Sequence, residues 1–144
     1  MIYTPMTKIA LKICFEAHKN QTDKSGMPYV FHPFHLAEQM VDEKTTVVAL
    51  LHDVIEDTEY TIDDLKNMGF SDDILSAIAL MTHADGVPYM EYVAKIKTNS
   101  IAKAVKLADL RHNSDMSRLD KVTIHDCERA EKYKKAIDLL ESSD

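Results

Sequence analysis

The sequence predicts an all-α protein, and three observations carry that prediction. Glycine and proline are scarce, at 3 and 4 in 144 residues, which leaves little material for the many tight turns of an all-β fold. Apolar residues recur at three- and four-residue spacing along much of the chain. Residues suited to start a helix stand ahead of several of these stretches, namely Thr4, Thr61 and Ser71. The length suits a single domain over residues 1–144 with room for a real hydrophobic core.

Each element follows from local chemistry. Thr4 caps a first helix on which Ile9, Ile13 and Ala17 share a face, flanked by Leu11 and Phe15. The polar stretch "HKNQTDKSGMPY", with Gly26 and Pro28, ends it. A second helix begins at Pro33, since proline is tolerated at the first helical position, and offers Phe34, Leu36, Ala37 and Met40 to a core. The link "DEKT" leads to a third helix within "VVALLHDVIEDTEYT". Thr61 caps the next, with Asp63 and Asp64 in its favourable first turn, and that helix stops before Gly69. Ser71 caps "DDILSAIALMTH", where Ile74, Ile78 and Met81 line one side. After the loop "ADGVP" come helices over 88–97 and 100–113, then a last helix over 124–141 that buries Ile137 and Leu140.

Composition excludes some functions. A formal net charge of −7 argues against a general nucleic-acid surface, which needs basic patches to displace counterions from phosphates. A small anionic ligand in a local basic pocket stays compatible with it. Cys14 and Cys127 lack CxxC spacing and read as two reduced thiols of a cytoplasmic protein. The N-terminal apolar residues are interrupted by Lys8, Lys12 and Glu16, unlike a signal peptide, and no run approaches the length of a membrane span. The sequence leaves the oligomeric state open.

The chemistry concentrates in three segments. In "VVALLHDVIEDTEYT" an apolar helical run gains His52, Asp53, Glu56 and Asp57 within six residues. On a continuous helix His52 lies over Glu56 and Asp53 over Asp57, so an imidazole and three carboxylates share a narrow sector. Burying those charges is costly unless solvent or a cation partners them. In "YVFHPFH", His32 sits among aromatic residues ahead of a proline. In "AVKLADLRHNSD", Asp109 interrupts an apolar stretch and Asn113 follows four residues later on the same face. Each has an ordinary structural explanation alone: a solvated helix end, a half-buried histidine, or a salt bridge from Asp109 to Lys106 or Arg111.

Taken in order, His32, then His52-Asp53, then Asp109 resemble the H…HD…D arrangement of the HD-domain metal-dependent phosphohydrolases. The blocks "GMPYVFHP", "ALLHDVIEDT" and "VKLADLRHN" are similar to the hydrolase domain of the RelA/SpoT proteins, which remove the 3′-pyrophosphate of (p)ppGpp, and the likeness runs from about residue 8 to residue 140. The resemblance implies the all-α HD fold and a small nucleotide as partner. It makes His32, His52, Asp53 and Asp109 metal ligands. A set of two imidazoles and two carboxylates suits Mn²⁺, Fe²⁺ or Zn²⁺ better than a thiolate-seeking metal, and the family implies Mn²⁺. It makes Glu56 the group that positions or deprotonates the attacking water, with Asp57 in support. It places Asn113 near the nucleotide sugar, and Lys24 and Tyr133 beside the substrate. It also implies a stand-alone hydrolase, because 144 residues leave no room for a synthetase domain.

Two departures stand out. Asp23-Lys24 occupies a position where many relatives carry a basic pair, so a carboxylate at the pocket mouth is expected to repel polyphosphate. "ADLRHN" stands where "ADRLHN" is common, which moves an arginine about 100° around the helix while Asp109 and Asn113 keep their spacing. Three functions therefore stay open at this point: a (p)ppGpp 3′-pyrophosphohydrolase, an HD phosphohydrolase for another nucleotide or phosphorylated cofactor, and a non-catalytic nucleotide-binding or scaffolding module.

Overall fold

The run from Thr45 to Leu51 dictates the centre of the molecule. Every residue of it is buried, and a helix that is apolar all round must be enclosed by others. The structure, a computed structural model, describes residues 1–143; Asp144, the far end of the expected domain, lies outside them. Among the described residues the order is α1 (Pro5–His18), α2 (Phe31–Glu38), α3 (Glu43–Leu51), α4 (Val54–Asp57), α5 (Ile62–Asn67), α6 (Asp72–Met81), α7 (Tyr89–Lys97), α8 (Ser100–Asn113), a 3₁₀ turn at Met116–Arg118, and α9 (Ile124–Glu141). The all-α expectation holds. No strand occurs among these residues, only an isolated antiparallel bridge between Thr22 and Pro28.

Helix α3 is the hub. It packs against α1, α2, α6 and α8, while α9 closes the far side across α7 and α8. One buried cluster joins Ala10, Leu36, Leu50, Ile78, Val105 and Leu140, so all the long helices share a core. Helix ends are chemically marked. Thr4, Thr61 and Thr123 each form a reciprocal capping box with the residue three positions on. Helix α5 ends at Gly69, whose φ of +98° favours a residue without a Cβ.

Several expectations shift. Helix α1 buries Thr7, Ala10, Ile13, Cys14 and His18, whereas Ile9 is 41% and Phe15 54% exposed. The small side chains of Ala10 and Cys14 let α1 approach α3 closely; apolar size alone points to the wrong stripe. Helix α2 begins at Phe31 rather than Pro33, which sits in the first turn where N–H groups lack intrahelical partners anyway. Its Leu36, Ala37 and Met40 are buried, but Phe34 is exposed. The "DEKT" link is not a link: Asp42 caps α3, which starts at Glu43. The helix through "LHDV" breaks at His52-Asp53, and α4 is a separate short turn. Ser71 stands at the start of α6 but its hydroxyl bonds Asp73, not the helix backbone. Helix α6 ends at Met81, leaving His83 beyond it.

Both cysteines are free. Burial, with Asp53 nearby, pushes the Cys14 thiol up to about 12, so it stays protonated. No helix among the described residues is long and apolar enough to cross a membrane.

This register gives a direct expectation. Leu50→Ala, at a fully buried position, should destabilise the fold by about 2–5 kcal/mol. Phe15→Ala should change it by no more than about 0.5 kcal/mol, as surface substitutions usually do. Urea unfolding of the two variants checks that α3 is enclosed and that Phe15 lies on the outer face of α1.

Candidate active site

Three of the four expected metal ligands converge. One donor atom each from His32 on α2, His52 at the end of α3 and Asp109 on α8 lie within 4.8 Å of one another, and all three residues are buried. His32 Nε2 is 2.9 Å from Asp109 Oδ1. His52 Nδ1 lies 2.7 Å from the Ala49 carbonyl, which can only accept, so Nδ1 carries the proton. Its Nε2 faces Asp53 Oδ2 at 3.0 Å and Asp109 Oδ1 at 3.7 Å, yet forms no well-directed hydrogen bond. A buried lone pair aimed at two carboxylates is unfavourable unless a positive charge lies between them. The donor set therefore fits a divalent cation. Asp53 stands at the edge of the group, with Oδ2 also taking the hydroxyl of Tyr29.

The acidic pair is arranged differently from a continuous helix. Helix α3 ends before His52-Asp53 and α4 follows as a separate turn, on which Glu56 Oε1 accepts the His83 backbone N–H at 3.1 Å. Glu56 and Asp57 both reach solvent. Partial burial raises the Glu56 pKa, with Asp53 and Asp57 adding to the rise. Partial burial and Asp53 likewise raise Asp57. Gln21, bonded to His18 Nδ1 at 2.8 Å, ties the Asp57 carbonyl to the end of α1.

Beside this centre opens a cleft of about 340 Å³. Lys24, Asn113 and Tyr133 line it together with His32, so the expected substrate residues share one space with a candidate metal ligand. Asn113 also donates to Asp109 Oδ1 at 3.0 Å, holding the ligand as well as facing the cleft. Asp23 lies at the cleft beside Lys24 as expected, but its carboxylate is not a free repulsive charge. Oδ1 accepts the backbone N–H groups of Ser25 and Met27 at 2.9 and 3.0 Å, and Oδ2 lies 3.7 Å from Arg118. The turn it closes places Gly26 at φ +79°.

Residues 10–114 match the HD domain family. The chain belongs to the HD domain family. It is 33% identical over 145 residues to a GTP pyrophosphokinase of Streptomyces coelicolor, covering 92% of this chain and 16% of that protein. It is 34% identical over 126 residues to a guanosine-3′,5′-bis(diphosphate) 3′-pyrophosphohydrolase of Borreliella burgdorferi, covering 72% of this chain and 18% of that one. The chain thus spans about a sixth of the length of these curated relatives. A solved structure described as a metazoan ortholog of SpoT that hydrolyses ppGpp superposes with a TM-score of 0.77 at 23% identity, covering all of this chain and 90% of that one. That likeness shows the fold.

An HD domain implies a divalent metal, and this one braces each candidate ligand. Tyr29 holds Asp53, the Ala49 carbonyl holds His52, and Lys106 Nζ reaches Asp109 Oδ2 at 2.9 Å. Burial would push the Asp109 carboxyl up, but the Lys106 ammonium and the neighbouring His32 and His52 rings outweigh it and hold the pKa well below the usual range. Burial likewise works against the Lys106 ammonium, and Asp109 with Tyr92 and Tyr89 outweighs it. The alternative partner for Asp109, Arg111, instead pairs with Glu141. Burial, then Arg118 and the neighbouring histidines, lowers His112 to about 4, so it is neutral. Tyr29, His83, His112, Arg118 and Arg129 are the site residues that sequence reasoning did not assign, and Lys106 is the salt-bridge partner it offered for Asp109. Tyr29 lies inside the quoted "GMPY" and Lys106 three residues before Asp109; the others meet the site only through tertiary packing.

Two outcomes follow for this HD domain. Protein purified without chelator should carry about one divalent transition metal per chain, as a single site requires, and Asp109→Ala should empty it by elemental analysis. Lys106→Met strips the cation from a buried pair and should cost about 3–5 kcal/mol in urea unfolding with EDTA present. The sign with pH follows from the depressed Asp109 pKa: its contribution is present above the ordinary carboxylate range and is lost only as pH falls through the lower folded value. The parent should therefore keep this stability to more acid pH than Lys106→Met.

Proposed function

We propose that this chain is a Mn²⁺-dependent phosphohydrolase that removes the 3′-pyrophosphate of (p)ppGpp, giving GDP or GTP plus pyrophosphate. The observation that carries the reading is the buried donor cluster of His32, His52 and Asp109 opening onto the cleft that holds Lys24, Asn113 and Tyr133. The names of the curated relatives support the substrate. His32, His52, Asp53 and Asp109 would hold the metal, which supplies Lewis acidity to a phosphoryl oxygen and a more acidic water.

The remaining work falls to the chain. Glu56, anchored through one oxygen by the His83 N–H, keeps its other oxygen for orienting a water and taking its proton. A raised pKa makes it a stronger base than an ordinary glutamate. Asp57, on the same short turn, adds negative charge that keeps the transferred proton on Glu56. Lys24, with Arg118 and Arg129 on the cleft wall, meets the phosphates; Asn113 faces the sugar; Tyr133 offers a ring to the base.

One feature favours a second reading, an HD phosphohydrolase for a nucleotide or phosphorylated cofactor with fewer phosphates. The cleft cations are already paired: Arg118 with Asp23, and Arg129 and Lys24 with Asp126. A substrate panel with added Mn²⁺, running from 3′-phosphorylated nucleosides to pppGpp, separates the two, and no turnover of any member overturns both.

Glu56→Gln should bind metal as the parent does and lose about 10²–10⁴-fold in kcat. The acid limb of the parent's pH–rate profile should lie above the ordinary glutamate range, because the basic form of Glu56 is present only above its raised pKa. Parent-like turnover by the glutamine variant would move the role to Asp57.

A further inference from the structure

His32 is held on both edges. Its Nε2 lies 2.9 Å from Asp109 Oδ1, and its Nδ1 lies 2.7 Å from Nδ1 of His112. The His32 and His112 rings are nearly parallel, 6° apart with centroids at 5.0 Å. A contact this short between two ring nitrogens is a hydrogen bond only if one of them carries the proton and the other does not. A neutral imidazole that gives its Nε2 lone pair to a cation must keep its proton on Nδ1. His112 must then present a bare Nδ1, with its own proton on the outer nitrogen.

We propose that His112 is a positioning residue for the metal centre: it accepts the Nδ1 proton of His32 and fixes that ring with Nε2 bare toward the cation. The inference rests on the metal site proposed above. The geometry of α8 supports it. Asp109, His112 and Asn113 stand at i, i+3 and i+4, so one helix face supplies a ligand, the partner that orients a second ligand on α2, and the amide that holds the first. His112 is itself fixed. Arg118 donates to its carbonyl at 2.8 Å, and the His35 ring lies 4.2 Å away on the outer side. A neutral acceptor in this role orients the ligand without adding a further negative charge to a site already holding Asp53 and Asp109.

The test uses the full chain. His112→Leu keeps volume and removes the acceptor; His112→Asn keeps an oxygen where Nδ1 stood. Mn²⁺ affinity is measured by competition with a chelating dye at fixed pH, and urea unfolding in EDTA checks that each variant folds. The leucine variant should bind Mn²⁺ about 10–100-fold more weakly, the usual cost of losing the partner of a ligating histidine, and the asparagine variant should stay close to the parent. Equal weakening in both would make the contact one of packing only, and parent-like binding by the leucine variant would remove the role. Should the leucine variant not fold, imidazole nitrogen NMR of the zinc-loaded parent decides: His32 should show a protonated Nδ1 and His112 a bare one, and coordination through Nδ1 of His32 overturns the proposal. Asp109→Ala separates the two readings. If it retains metal, the site assignment fails; if it empties while His112→Leu stays loaded, only the role of His112 fails.

Discussion

A buried imidazole nitrogen facing two carboxylates is the constraint on which the rest of the structure depends. The Ala49 carbonyl claims the Nδ1 proton of His52, which turns Nε2 toward Asp53 and Asp109. In a low-dielectric interior that arrangement persists only when positive charge is supplied from outside the side chains themselves or by protonation of the ring. Asp53 and Asp109 do outweigh burial and raise the His52 pKa well above its ordinary value, the response expected of a site built to receive a cation. Lys106 offsets one of the two carboxylates, so about one negative charge is left for a cation to meet.

The helical scaffold answers to this requirement. Helix α3 is enclosed on all sides, so its C-terminal residue His52 is delivered to a fixed point rather than to a mobile surface loop. The short turn α4 follows, with Asp53 at the edge of the cluster taking the Tyr29 hydroxyl and Glu56 and Asp57 exposed. Asp109 is buried whereas Glu56 and Asp57 are exposed, and the two sets hold opposite pKa shifts: Asp109 down, Glu56 and Asp57 up.

How far the sequence could be read follows the range of the forces involved. Helix starts at Thr4 and Thr61 were legible because a cap is a contact between residues three apart. Asp109 and Asn113 were legible for the same reason, and the hydrogen bond between them realises the four-residue spacing. The buried stripe of α1 was not, because Ala10 and Cys14 are chosen by how closely α3 approaches, which no local pattern encodes. Asp23 looks like a free charge in the sequence because its partner Arg118 is far away along the chain, in a 3₁₀ turn that periodicity does not mark. The role of His112 is not legible beside Asn113, since nothing in "RHN" says that α2 brings His32 to within hydrogen-bond distance.

Charge is distributed unevenly between the two halves of the site, and that distribution bears on recognition. At the donor cluster Asp53 and Asp109 are gathered against Lys106 and the His52 ring. Along the cleft, Arg118, Arg129 and Lys24 each stand against Asp23 or Asp126. Paired charges cast little field beyond their own contact, so this wall does not pull polyphosphates in from a distance as an unpaired basic funnel would. The proposed polyphosphate substrate would be met at contact, by exchanging a carboxylate partner for a phosphate oxygen. That exchange costs the existing pair, and its cost rises with each further phosphate that needs a cation. Selectivity would then come from matching the number of phosphates to the pairs that can open, with the shape of the cleft around Asn113 and Tyr133 judging the nucleoside.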